Sequence, residues 1–451
     1  MSPRTPLHVT LAALAAAAFA LPSAHAEDSP AQTTTTASTT ATTPAATQPQ
    51  QNDVARWLDE RGIYPSILLR SKLFYSASYG LPSGQHQLEN ITLLALNLDL
   101  DLGKLLNIQG GSFHLETENN FIRRNNAIGS SFGSFPLAQL PPNAPRRDVP
   151  VFSYAQRLSD GKADFEIGRK NITWYFLDAF APWENGSRME TMTWLTAPPP
   201  YATWMAQGSV KLGSHGYLKA GLWEYNIQNW GYSGWNFGFD GASGATGLLS
   251  AGYREEPNET LYPRRLDLTG YYINADEADP YTGTYHTGNR GLILSAGQVV
   301  QRFGKNPTET SQGLYVYGVL GANLEPWNAA GVSNNATVGA TWINAFGRTG
   351  DSIGVKYTHT RLSRDEWQSL NEANISSGGS GVLYGRNTSF LMLHGAFNVT
   401  SYLSVNPFIA YGFKPNTAYN SSSTEKPREG FFMGAVATIN IGNLLGLPKF
   451  K

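Results

Sequence analysis

Residues 96–106 read LNLDLDLGKLL, with Leu96, Leu98, Leu100 and Leu102 alternating against Asn97, Asp99 and Asp101. Successive side chains of an extended chain point to opposite faces, so this stretch has one leucine face and one face of carboxylates and amides. The same period of two recurs along the chain. Ile67, Leu69, Leu73, Tyr75 and Tyr79 alternate with Arg70, Lys72, Ser76 and Ser78, and Phe113 and Leu115 oppose His114, Glu116 and Glu118. Ala163, Phe165 and Ile167 oppose Asp164 and Glu166, while Ile353, Val355 and Tyr357 oppose Lys356, Thr358 and Thr360. Near the end, Phe431, Met433, Ala435, Ala437, Ile439 and Ile441 stand against Gly434, Thr438 and Asn440.

This periodicity predicts sixteen strands. In the first half they fall near 67–80, 90–102, 109–121, 150–158, 161–169, 204–213, 216–224 and 246–253. In the second half they fall near 262–274, 289–299, 312–322, 336–346, 352–362, 387–399, 401–412 and 430–442. Strand-length segments with one apolar face and turn-rich connections are the signature of a transmembrane antiparallel β-barrel. A soluble sandwich also alternates, but it faces a core. Here the polar faces carry full charges, as a water-filled lumen allows, and the centres of the apolar faces carry none, as lipid demands. Pro407 interrupts one segment, where a ladder donor is lost and a bulge or an edge is expected.

The start of the chain has a different pattern. Arg4, the apolar run at 11–21 and the small-x-small site Ala24-His25-Ala26 predict a signal peptide over residues 1–26. Residues 27–52 are a Thr/Ala/Pro/Gln tract with too little apolar mass to order itself, and read as a disordered spacer. Over 53–64, Val54, Trp57 and Leu58 share one helical face, with Asp53 at the N-cap and Gly62 as the stop. Residues 65–451 then form the barrel.

Composition narrows the function. The net charge of −1 gives no electrostatic reason to expect nucleic acid. The chain has no cysteine, so thiolate metal sites, disulfides and cysteine nucleophiles are excluded. The histidines show no metal-binding spacing, so neither metal nor cofactor is expected. Asp99 and Asp101 point the same way, about 7 Å apart, a spacing compatible with an inverting glycosidase pair. Carboxylates at i, i+2 recur on any polar strand face, however, and an enzyme is not expected.

Several stretches are similar to the carbohydrate-selective porin (OprB) family of Gram-negative outer membranes. They are WLDERGI, LNLDLDLGKLL, GGSFHLE, FEIGRKN, GYLKAGLWEYN, GATGLLSAGYRE, LTGYYIN and FGRTGDSIGVKYTHTRLS. The resemblance implies a sixteen-stranded barrel with an inward-folded constriction loop, passing sugars across the outer membrane by diffusion. The strand around 386–397 departs from it, since His394 is the ionisable side chain inside it where the family often has glutamates.

Sugar recognition needs aromatic faces for the ring and charged or amide groups for its hydroxyls. Seven of eleven tryptophans, Trp174, Trp183, Trp194, Trp204, Trp223, Trp230 and Trp235, cluster between 171 and 236, as a stacking track or an interfacial girdle. The pore-lining or sugar-binding candidates are Arg70, Lys72, Asp99, Asp101, His114, Glu116, Asp164, Glu166, Arg169, Trp174, Trp223 and Glu224. Strict alternation puts Arg169 on the Phe165 face unless the strand ends at Gly168. The expected partners are a carbohydrate solute and outer-membrane lipids, with monomer and homotrimer both open. The alternatives are a porin selective for polyols, organic acids or ions, and a soluble exported glycan-binding β-protein.

Overall fold

The computed structural model describes residues 53–124, 147–172, 176, 182–196, 202–226, 235, 237–257, 259–303, 312–328, 331–380, 385–418 and 420–450. The expected signal peptide and spacer lie outside the described residues.

A short helix, α1 (Asp53–Glu60), is followed by sixteen strands in a closed antiparallel barrel. They are β1 (Ile63–Ser76), β2 (Leu88–Asp101), β3 (Gly111–Arg124), β4 (Arg147–Leu158), β5 (Ala163–Lys170), β6 (Thr203–Leu212), β7 (Gly216–Tyr225) and β8 (Gly244–Arg254). Then come β9 (Arg264–Ala278), β10 (Tyr285–Arg302), β11 (Gly313–Asn323), β12 (Val332–Ile343), β13 (Ser352–Leu362), β14 (Asn387–Asn398), β15 (Leu403–Phe413) and β16 (Gly430–Asn440). Each strand pairs with its chain neighbours, and β1 pairs with β16, so no edge remains unpaired. All sixteen segments expected from periodicity are strands. Connections after odd strands form one end, here the loop end, which has the longest of them; those after even strands, none above ten residues, form the turn end. In outer-membrane barrels long loops lie outside the cell and short turns face the periplasm.

The distribution of exposure settles which face meets what. On the outer wall Leu249 is 60% exposed, and Leu222 and Leu393 are also open. Leu268, Leu294 and Leu320 form one cross-strand row over β9–β11, and Val338, Tyr357 and Leu391 another over β12–β14. All six are exposed. The inner face is the reverse: Asp267, Thr269 and Lys356 are buried there. Apolar outside and charged inside is stable only where hydrocarbon surrounds the wall.

Local chemistry sets the element ends. Gly62 takes a left-handed φ of 69° and stops α1 at the expected residue. Asp101 ends β2 by accepting from the backbone N–H groups of Gly103 and Lys104, capping α2 (Leu102–Leu106). At Pro407 the β14–β15 pairing lapses between His394↔Phe408 and Phe397↔Val405 and resumes in the same register. The missing N–H therefore costs a rung without shifting the strand, and neither the expected bulge nor an edge forms, because β15 stays paired on both sides of the gap.

Candidate functional site

The connection between β5 and β6, residues 171–202, carries α3 (Ser187–Thr196). This helix lies against the inner faces of β10, β11 and β12, several strands around the wall from where its loop begins, so the loop crosses the lumen. The wall makes room for it: a Cβ at Gly321 would strike Thr191 and Leu195. Met192 and Leu195 join Tyr271, Ile273, Ile293 and Val319 in an apolar cluster.

Polar anchors fix the same loop. Lys356 Nζ donates to both carboxylate oxygens of Glu190, at 3.0 and 2.8 Å, and to the Asn185 carbonyl at 3.2 Å. Tyr315 donates its hydroxyl to Glu184 at 2.9 Å, Thr341 to the Trp183 carbonyl at 2.6 Å, and Thr191 to Asn335 at 2.8 Å. Arg188 stands 3.7 Å from Asp267, which is also paired with Arg265, and Arg265 is 3.7 Å from Glu184. Three acids, Glu184, Glu190 and Asp267, thus interleave with three bases, Arg188, Arg265 and Lys356, all buried. Buried charge of this density is tolerable only when paired. Burial pushes the Glu184 carboxyl up to about 7, against the opposing pull of Arg188 and the Tyr315 hydrogen bond.

At the loop end, α4 (Arg364–Ser376) begins at Ser363, whose hydroxyl accepts from the Glu366 N–H at 3.0 Å. Tyr281 reaches Glu372 at 2.8 Å and Asn374 reaches the Ser423 carbonyl at 2.8 Å. The helix thus ties the β9–β10 connection to the β15–β16 connection, and its Trp367 and Leu370 rest on the cluster that holds α3.

A closed barrel with a loop pinned across its lumen is the architecture of a diffusion channel. A family model described as carbohydrate-selective porin, OprB family, matches residues 85–428. The chain belongs to that family. Among solved structures, the high-pH structure of Pseudomonas putida OprB superposes with a TM-score of 0.73 at 19% identity, covering 86% of this chain and 96% of that one. The low-pH structure of the same protein gives 0.51 at 14% identity, covering 85% and 94%. No curated protein matches the sequence.

In this OprB-family chain, β1–β6 place most of the expected residues on the inner face. Arg70 and Lys72 share the face of buried Phe74. Asp99 and His114 are cross-strand neighbours joined at 2.6 Å through Nδ1, and His114 Nε2 lies 2.9 Å from the Ser112 hydroxyl. Glu116 follows on the same face of β3. Asp164 accepts from Ser209 and is open to the lumen. Glu166 is committed to the wall, taking Ser153 at 2.5 Å, Gln207 at 2.7 Å and the Lys170 ammonium at 2.5 Å.

Four candidates have other positions. Arg169 sits in the row Phe152–Arg169–Trp204, on the outer face it shares with half-exposed Ile167. Its guanidinium donates to the Ala202 carbonyl at 2.8 Å and lies 4.6 Å from the Phe237 ring centre. Glu224 shares the outer face of Leu222 and accepts from the Trp204 N–H and the Asn226 amide. Trp223 faces inward but is 1% exposed beneath Phe176, so it anchors the crossing loop and offers no ring to a solute. Asp101 spends its carboxylate on the cap of α2. Trp174 lies outside the described residues. Sequence reasoning missed Glu184, Arg188, Glu190, Arg265, Asp267 and the anchoring role of Lys356; the clustering of charges in SRMETMTW, inside a segment expected to fold inward, was the available signal.

Proposed function

We propose that the protein is an outer-membrane channel for passive, carbohydrate-selective diffusion of monosaccharides or small oligosaccharides. The observation that carries this reading is the loop pinned across the lumen by its buried ion network. It leaves a passage flanked by the inward charges Arg70, Lys72, Asp99, His114, Glu116 and Asp164. Such groups can exchange for the hydration shell of a polyhydroxylated solute. A site of this kind must bind weakly, since a solute held tightly would not leave. Family membership supports the substrate class, and the inverted surface supports residence in a Gram-negative outer membrane. The leader at residues 1–26 would supply export and be cleaved after Ala26.

Planar-bilayer recording with added sugars tests this. A saturable reduction of ion current by a sugar is the expected result. Current unaffected by any sugar, with saturable block by polyols or organic acids, would transfer the chain to a differently selective porin. Recovery only from the soluble periplasm, without a heat-modifiable band in outer-membrane extracts, would refute both.

A further inference from the structure

After β16 the chain turns back into the barrel. Asn440 caps α5 (Ile441–Leu444), accepting from the Asn443 N–H at 2.8 Å. The helix closes with two bonds, Leu447 N–H to the Gly442 carbonyl at 2.9 Å and Gly446 N–H to the Asn443 carbonyl at 3.1 Å. Gly446 takes the left-handed φ of 67° that this reversal requires. The Asn443 amide ties the helix to the Ser401 carbonyl at 3.1 Å. On the other side, a Cβ on Gly442 would lie 3.5 Å from the β1 backbone at Ser66 and Ile67. The reversal buries Pro448 and delivers Phe450 to the inner face.

There the Phe450 ring lies 5.3 Å from the Tyr64 ring, at 73°, and 5.4 Å from the His114 ring, at 87°. Tyr64, Asp99 and His114 are adjacent in one inward row across β1, β2 and β3. A ring touching both flanks of that row stands over Asp99 between them. The support beneath it is fixed: the Tyr64 hydroxyl bonds Asp59 at 2.9 Å and Lys104 Nζ at 2.8 Å, and Lys104 also holds the Asp59 carbonyl of α1 at 2.8 Å. Segments from before β1 and after β16 thus converge on one spot at the turn end, opposite the end where α4 lies.

We propose that Phe450 forms a second constriction at the turn end, which sets specificity by placing an aromatic ring beside the hydrogen-bonded Asp99–His114 pair. The sugar part of this rests on the carbohydrate-channel reading; the constriction itself does not. An apolar ring next to a carboxylate–imidazole pair suits a pyranose, which presents C–H groups on one face and hydroxyls at its rim. A solute leaving the pinned loop would meet this pair before exit.

The test is bilayer recording of Phe450→Ala and Phe450→Trp, each first checked for the heat-modifiable band that marks an assembled barrel. Phe450→Ala should raise the salt conductance, and Phe450→Trp should lower it. With a blocking sugar added from the turn end, Phe450→Ala should weaken block by about three- to tenfold, the worth of one aromatic contact. Conductance unchanged in both variants would overturn the constriction. A conductance change with sugar block present but equal in all three proteins would overturn the specificity role. A conductance change in a channel that no sugar blocks would leave the constriction standing and refute the carbohydrate reading instead.

Discussion

Replacing Lys356 with Ala would leave the Glu190 carboxylate, 1% exposed, facing a cavity where the two hydrogen bonds from the ammonium had been. The Asn185 carbonyl would lose its donor in the same step. Removing one partner of a buried pair costs about 3–5 kcal/mol, chiefly because the other charge stays buried without its opposite charge. At about 1.4 kcal/mol per factor of ten, the equilibrium between docked and undocked loop shifts roughly a hundredfold to a few thousandfold. The closed barrel does not depend on this pair, so the loop should detach locally while the wall survives. Single-channel recording should show a noisy current with excursions to a larger conductance. The double replacement Lys356→Met with Glu190→Leu removes both charges, and by the same reasoning it should be quiet, near wild type. If Lys356→Ala records as quietly as the double variant, the pair does not pin the loop and the account of the constriction fails.

Three further outcomes follow from the geometry. Leu249→Arg, in the middle of the outer face of β8, should cost about 2–4 kcal/mol and reduce the folded band in outer-membrane preparations, whereas Asp164→Arg on the lumen face should assemble normally; equal assembly of both would refute the assignment of faces. Asp99→Ala and Glu116→Ala should shift the reversal potential under a salt gradient, while Arg169→Ala and Glu224→Gln, on the outer face, should not. A shift from the outer pair would place it in the pore. Burial raises the Glu366 carboxyl to about 7 in α4, so its stabilising neutral form is fully present below the unfolded value near 4.3. That contribution is lost as pH rises through about 7, so hydrogen-exchange protection of residues 364–376 should fall across this window in the native chain and stay flat in Glu366→Gln.

Much of this was legible because a barrel wall is a local code. Each strand announces its two faces in a dozen residues, so β2 and β16 were readable from alternation, and even Pro407 disclosed its missing rung. Parity also carried the warning about Arg169, whose outward position follows from sharing a face with Phe165 and Ile167. What alternation cannot convey is the partner of a side chain. Asp99 and Asp101 are identical in pattern, yet one meets His114 across the sheet and the other caps a helix, a role hinted at only by the Leu-Gly-Lys that follows. Trp223 faces the lumen as its parity says, but Phe176, from the aperiodic connection between β5 and β6, covers it. The pinning network is the extreme case: Glu190 and Lys356 are 166 positions apart, and a loop without periodicity gives no register from which to pair them.

The wall is not of one height. β10 has 18 residues and β5 has 8, which at about 3.3 Å per residue and a tilt of about 45° correspond to roughly 42 Å and 19 Å along the membrane normal. An apolar band needs about 25 Å, so the flank at β5 is too short to match the bilayer by itself. On that flank the connection after β7 folds over the outside, with Phe237 against Phe152 and Arg169, and Phe239 stacked on Trp204 while 66% exposed. Those rings extend the greasy surface where the strands stop. Hydrophobic mismatch on this side is therefore met by a loop, and the sheet need not stretch or the lipid thin to correct it. The thickness of the surrounding membrane would then act on the loop that shields Arg169 and Glu224, a lever on the outer rim that leaves the lumen untouched.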